Sequence, residues 1–137
     1  MYLLDTCVFS EFSRKQPKES VVSWASTIKE SEQFLSCLVL GELLHGVLRL
    51  PDGIKKKELL HWVESLSITH HKRIISVSSD VTREWAALVS RLEAQGLKPP
   101  VMDSLIAASA LTHGLTLVTR NVADFQSMGV RLLNPWT

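Results

Sequence analysis

Short apolar runs alternate with longer amphipathic segments along the chain. Runs rich in Leu, Ile and Val predict β-strands, whereas apolar residues spaced three and four apart predict helices. Gly and Pro mark where the segments end. Strands are predicted at Tyr2–Asp5, Gln33–Ser36, Ile74–Val77, Thr116–Thr119 and Val130–Leu133. Helices are predicted at Cys7–Arg14, Glu19–Lys29, Leu38–Leu50, Lys55–Leu66, Val81–Gln95 and Val101–His113, with a loop or helical turn at Asn121–Ser127.

The order of these elements predicts the fold class. Strands that alternate with helices indicate an α/β protein with a parallel β-sheet flanked by helices, a three-layer α/β/α sandwich. The length of 137 residues fits a single domain, 1–137, and the hydrophobic content of 45% is enough for a core. The helix Val101–His113 is apolar nearly all round, which predicts that it is buried.

The apolar pattern does not favour a membrane or secreted protein. No apolar run reaches the roughly 20 residues that cross a bilayer, and the first residues lack the basic stretch of a secretory signal. We therefore expect a cytoplasmic protein. Its two cysteines, Cys7 and Cys37, are then expected as free thiols, although a disulfide between them is geometrically possible.

Four acidic residues stand at the edges of apolar segments: Asp5, Glu42, Asp103 and Asp124. In open α/β sheets, ligands bind beyond the carboxyl ends of the strands. Asp5 ends the first strand, and the other three lie in segments that follow a strand or lead back to one. We therefore expect all four acids at one edge of the sheet.

Carboxylates gathered in this way suggest a metal site. They repel one another when ionised, and a hard divalent cation such as Mg²⁺ or Mn²⁺ relieves that repulsion. Each acid also has an ordinary explanation. Asp5 is a favourable helix cap, Asp103 suits the start of a helix, Glu42 can pair on its own helix with Arg49, and Asp124 can begin a turn.

Several segments together resemble the PIN domain family, and within it the VapC toxins, especially the FitB-like branch. The resemblance covers essentially the whole chain, ends with Asn134-Pro135-Trp136, and is strongest in the Thr119-Arg120-Asn121-Val122-Ala123-Asp124-Phe125 segment. The other matching segments are Leu3-Leu4-Asp5-Thr6, Gly41-Glu42-Leu43-Leu44-His45-Gly46 with Arg49-Leu50, Val101 to Ala108, and Gly114 to Val118.

The resemblance implies roles for individual residues. Asp5, Glu42 and Asp103 match the three core metal-site acids. The fourth position varies among relatives, and here Asp124 is the acid while Asn121 contributes by hydrogen bonding or through water. Residues beside the pocket that orient ligands or contact substrate are Thr6, Thr119, Arg49 and Arg120.

The resemblance also implies an activity and partners. It indicates a Mg²⁺- or Mn²⁺-dependent endoribonuclease in which activated water attacks an RNA backbone phosphate. Members of this family are typically homodimers that a cognate antitoxin protein neutralises. They reach operator DNA only through that antitoxin.

Two other functions remain open from the residues. A nuclease-like scaffold could have lost turnover and act through its antitoxin and DNA complex, in which case divalent metal would change neither stability nor cleavage. A phosphohydrolase with an aspartyl nucleophile is disfavoured, because it needs a second Asp two residues after Asp5, where Cys7 stands. A covalent phospho-Asp5 intermediate would identify it.

The net charge of +1 does not mark a nucleic-acid-binding surface, so contact with RNA has to be local or assisted by metal. Local basic clusters either contact phosphates or are ordinary solvated surface, and the second interpretation is favoured for the lysine run. The clusters are Arg14-Lys15, Lys55-Lys56-Lys57 and His70-His71-Lys72-Arg73.

Overall fold

Five short parallel strands form the centre of the protein in a computed structural model that describes residues 1–137. The strands are β1 (Tyr2–Leu4), β2 (Gln33–Ser36), β3 (Ile74–Ile75), β4 (Thr116–Val118) and β5 (Leu132–Leu133). The helices are α1 (Thr6–Phe12), α2 (Glu19–Ala25), α3 (Cys37–Leu48), α4 (Ile54–Thr69), α5 (Ser79–Ala94), α6 (Val101–His113) and α7 (Val122–Phe125). Short 3₁₀ helices occupy Glu30–Glu32 and Gln126–Met128.

The strand order places β1 in the middle of the sheet. The order is β3-β2-β1-β4-β5, and every neighbouring pair is parallel. The chain builds outward from β1 through β2 to β3 and then returns to β4 on the other side. The point between β1 and β4 is therefore the topological switch point, where open α/β sheets bind ligands.

The sheet and its helices share one hydrophobic core of 21 buried residues. Leu3, Leu4, Leu117 and Val118 on the two central strands are completely inaccessible to solvent. Helix α1 contacts α2 and α3, and α3 contacts α4, while α5 packs along α6 and α6 contacts α7. The predicted three-layer α/β/α fold with a parallel sheet is confirmed. No helix combines the length and apolar character that crossing a membrane requires.

Three sequence-based boundaries differ for local reasons. Helix α2 ends at Ala25 rather than Lys29, because the hydroxyls of Ser26 and Thr27 donate to carbonyls of the preceding turn, at 2.7 and 2.6 Å. Strand β3 stops at Ile75 rather than Val77, since Ser78 already caps α5. Strand β5 begins at Leu132, after a turn at Gly129 with φ 75°.

Helix α6 has the predicted bounds but is not buried all round. Its middle is buried, whereas Val101 and Met102 in its first turn are 63% and 40% exposed. The predicted burial of this helix was therefore wrong for its first turn. Asp103 lies in this turn, so the same exposure leaves its carboxylate accessible from solvent.

Candidate active site

Asp5 links the end of β1 to the beginning of α1. Its backbone N–H donates to the Val118 carbonyl at 2.9 Å, which ties it to β4. Its Oδ1 accepts a hydrogen bond from the Thr6 N–H at 2.8 Å and so caps α1. Its Oδ2 accepts the hydroxyl of Thr119 at 2.8 Å. The capping role considered for Asp5 is therefore real, but it uses only one of the two carboxylate oxygens.

Thr119 is the buried hydroxyl that orients Asp5. Its Oγ1 accepts the backbone N–H of Asn121 at 3.0 Å, which leaves its own proton to donate to Asp5. Since Thr119 is fully buried, this arrangement is shielded from water. Asn121 thus acts on the site through its backbone, and its position is exposed.

Glu42 reaches the same region from α3. Helix α3 begins directly after β2, where the Ser36 hydroxyl accepts the Leu38 N–H at 3.1 Å and caps the helix. The Thr6 hydroxyl donates to Glu42 Oε1 at 2.7 Å, which joins α1 to α3. Asp5 therefore supplies one carboxylate of the site, and the next residue, Thr6, positions a second one, that of Glu42.

Asp103 shows that the four acids lie near one another. Burial raises the pKa of its carboxyl, and the negative charges of Asp5, Asp124 and Glu42 raise that pKa further, with no hydrogen bond to offset them. The four carboxylates come from four different segments, and they lie within electrostatic range at the carboxyl edge of the sheet.

Burial also dominates the pKa of Asp5. It raises the pKa above the ordinary value, and the charge of Asp124 adds to this. Hydrogen bonds from Thr119, Thr6 and Cys7 act in the opposite direction. Asp124 itself is exposed, in the short helix α7. It is therefore the most exposed of the four acids.

The four acidic side chains are chemically suited to bind a hard divalent cation. All four side chains offer carboxylate oxygens, which Mg²⁺ and Mn²⁺ prefer, and their mutual repulsion is what a cation would relieve. No group of three His, Cys, Asp or Glu side chains in residues 1–137 is already arranged as metal ligands would be. Sharing one ion therefore requires these carboxylates to change position.

The two arginines named from the sequence lie differently. Arg49 is exposed at the end of α3, and the pairing with Glu42 that we considered does not form. The ion pairs in the structure are Arg14 with Glu11 and Lys56 with Asp52. Arg120 follows Thr119 directly, and its guanidinium lies over the Trp136 ring, 5.8 Å from the centroid.

Sequence patterns missed three supporting groups. Cys7 is a free thiol 3.6 Å from the Thr119 hydroxyl, and burial raises its pKa. Ser104, beside Asp103, accepts the Trp85 indole N–H at 2.9 Å and so fixes the start of α6 against α5. Glu11 is a buried acid on α1. Its position among Val8, Phe9 and Phe12 was the one sequence signal that it is unusual.

Comparisons with known proteins give a consistent result. The family model described as "PIN domain" matches residues 2–130. The chain is 36% identical over 138 residues to Toxin FitB of Neisseria gonorrhoeae, with 99% of each chain covered. It is 28% identical over 137 residues to VapC ribonuclease Y4jK of Sinorhizobium fredii, covering 99% of this chain and 98% of the relative.

A solved structure of FitAB bound to IR36 DNA fragment contains a similar chain. It superposes with a TM-score of 0.94 at 34% identity, over 100% of this chain and 96% of the other. Because the match covers all of this chain and nearly all of its counterpart, the similarity includes the edge of the sheet where the four acids lie.

Proposed function

Because the chain belongs to the PIN domain family, we propose that it is a metal-dependent endoribonuclease and the toxin of a VapC-type toxin–antitoxin pair. Its similarity to a protein named VapC ribonuclease and to one named toxin FitB supports this proposal. The activity then rests on hydrolysis of RNA phosphodiesters.

One observation in the structure carries the proposal. Asp5, Glu42, Asp103 and Asp124 come from separate segments, and burial together with the charges of the other three raises the pKa of Asp103. Structural roles alone do not require acids to gather where they destabilise one another. Such an arrangement is characteristic of functional sites.

We assign the cation to Asp5, Glu42 and Asp103, with Asp124 as the fourth acid. Asn121 acts at one remove, since its backbone N–H orients Thr119 and Thr119 orients Asp5. When bound, Mg²⁺ or Mn²⁺ supplies positive charge that stabilises the phosphate and lowers the pKa of water.

The chain's own residues then position the reacting groups. Thr6 and Thr119 donate hydrogen bonds to Glu42 and Asp5, which keeps these carboxylates in fixed directions. Arg120 directly follows Thr119 and is exposed, so its guanidinium is available to the RNA backbone. Arg49 lies at the end of the helix that carries Glu42 and provides a second exposed cation.

The proposed partners follow from the family and the solved relative. We propose that a cognate antitoxin holds the enzyme inactive and that the enzyme forms a homodimer. We further propose that it reaches operator DNA only through the antitoxin. The structure of FitAB bound to a DNA fragment supports this last assignment.

Metal dependence provides the test of the proposed function. We expect the purified protein to cleave RNA with Mg²⁺ or Mn²⁺ and to stop when a chelator is added. Either metal should raise the midpoint of thermal unfolding of the wild type but not of Glu42→Gln, which loses one proposed ligand. Glu93→Gln removes a charge from the exposed end of α5 and serves as the matched control.

Two outcomes would contradict the proposal. Cleavage that continues in chelator would exclude a metal-dependent enzyme. A protein that cleaves no RNA, with an unfolding midpoint insensitive to both metals, would be the catalytically weak scaffold that acts through an antitoxin and DNA complex.

A further inference from the structure

A polar cleft lies next to Thr119, the residue that orients Asp5. Its volume is about 310 Å³. One side is formed by the end of α1 and the loop that follows it, and the other side by Arg120 and the C-terminal tail. Its wall carries three cationic side chains and one carboxylate. The lining residues are Glu11, Arg14, Gln16, Lys18, Arg120 and Trp136.

The single carboxylate of the cleft is already engaged by the protein. Glu11 Oε2 accepts the backbone N–H of Lys18 at 3.1 Å, and Oε1 accepts the indole N–H of Trp136 at 3.1 Å. These hydrogen bonds, with the nearby cations, keep the pKa of Glu11 below its ordinary value. Arg14 approaches Glu11 only at 3.5 Å, the outer limit of a hydrogen bond.

The cations therefore retain donors for an anion. Arg14 has a side chain that is 65% exposed, and Lys18 and Arg120 are exposed as well. The Arg120 guanidinium lies over the Trp136 ring, and this cation–π contact helps to position it. With a net charge of only +1 on the whole chain, a cleft with three cations and one internally bonded carboxylate is a distinctly positive region.

The cleft adjoins the acids through the backbone. Arg120 follows Thr119, whose hydroxyl bonds Asp5, and the Arg120 N–H points to the Cys7 sulfur at 3.4 Å. Arg120 thus lines the cleft and also adjoins the acids through Thr119. A polyanion of regularly spaced phosphates matches this juxtaposition, and arginine recognises phosphate by paired donors.

We propose that this cleft binds a backbone phosphate of the RNA strand next to the phosphate that is cleaved. Arg14, Lys18 and Arg120 contact the phosphate, while Glu11 and Trp136 act as positioning residues. The assignment rests on the proposed ribonuclease function. It adds a site that holds the strand in register with the acids.

Salt-dependent RNA binding tests the proposal. Arg14→Gln, Lys18→Gln and Arg120→Gln are each introduced into the Asp5→Asn protein, so that the strand is not cut. Binding of a fluorescently labelled, mixed-sequence single-stranded RNA is then followed by anisotropy in Mg²⁺ over a range of salt. Each substitution should weaken binding by about fivefold and reduce the slope of log affinity against log salt by about 0.7.

Matched variants separate this effect from general charge. Lys72→Gln removes one exposed cation at the amino end of β3, the edge of the sheet opposite the acids, and should leave the slope unchanged. Arg120→Lys keeps the charge but not the planar guanidinium over Trp136. It should preserve the slope while losing part of the affinity.

The outcomes distinguish this proposal from the function on which it rests. If the cleft variants match Lys72→Gln in affinity and slope while Asp5→Asn still abolishes cleavage, the phosphate site is wrong and the ribonuclease stands. If Asp5→Asn cleaves RNA as the wild type does, the proposed function itself fails.

Discussion

At the scale of single residues, the negative charge of Asp103 lowers the stability of the folded protein. Its carboxyl is half-buried, and burial together with the charges of Asp5, Asp124 and Glu42 raises its pKa. Between the unfolded pKa, about 4, and the higher folded pKa, the folded state binds more protons. The contribution of Asp103 to the free energy of unfolding therefore falls as the pH rises through that window, and it stays lower at neutral pH.

Replacing this charge should stabilise the metal-free protein. We expect Asp103→Asn to raise the midpoint of thermal unfolding in chelator at pH 7, and the gain should vanish below about pH 4, where both side chains are neutral. The same variant should lose RNA cleavage.

Asp80→Asn provides the matched comparison. Asp80 also lies in the first turn of a helix, α5, but is exposed. Its loss should destabilise slightly, by about 0.3–1 kcal/mol, through the helix dipole alone. If Asp103→Asn is destabilising in the same way, burial and the neighbouring acids do not disfavour the charge of Asp103 in the folded state.

At the scale of elements, the contact between α5 and α6 sets the position of Asp103. The Ser104 hydroxyl is fully buried, accepts the Trp85 indole N–H at 2.9 Å and donates to the Val101 carbonyl at 2.9 Å. It therefore joins the two helices at the turn that carries the proposed ligand.

Removing this hydroxyl should affect both stability and activity. Ser104→Ala leaves the Trp85 N–H without its partner, at a cost of about 1–3 kcal/mol in the free energy of unfolding, and cleavage should slow because the first turn of α6 is less firmly placed. Denaturant unfolding and the cleavage rate measure the two effects. Ser109→Ala is the control, because Ser109 is equally buried but bonds only the Leu105 carbonyl of its own helix.

The elements also show where sequence patterns suffice. Parallel strands put their carboxyl ends at one edge, so the meeting of Asp5 with Asp103 could be predicted from element order. The hydrogen bonds that orient the site could not, because they join distant residues. Thr119 and Asp5 are 114 residues apart, and Trp136 and Glu11 are 125 apart. No local periodicity encodes such pairs.

At the scale of the whole molecule, strand order brings Asp5 and the basic cleft to the same edge of the sheet. Strand β1 is central and ends in Asp5, and its neighbour β4 leads through Thr119 to Arg120. The chain has almost no net charge, yet opposite charges are separated locally at this edge. In our account the acids hold the cation while the basic cleft holds the strand.

The most direct test of this account is RNA cleavage by Asp5→Asn. An asparagine retains the oxygen that caps α1, and its amide N–H can donate to the Thr119 hydroxyl oxygen in place of the bond that Oδ2 accepts. The variant should therefore fold with an unfolding midpoint close to that of the wild type. We expect its cleavage rate in Mg²⁺ to fall by at least about a hundredfold, while Asp80→Asn cleaves normally. A folded Asp5→Asn protein that cuts RNA as fast as the wild type would contradict the account.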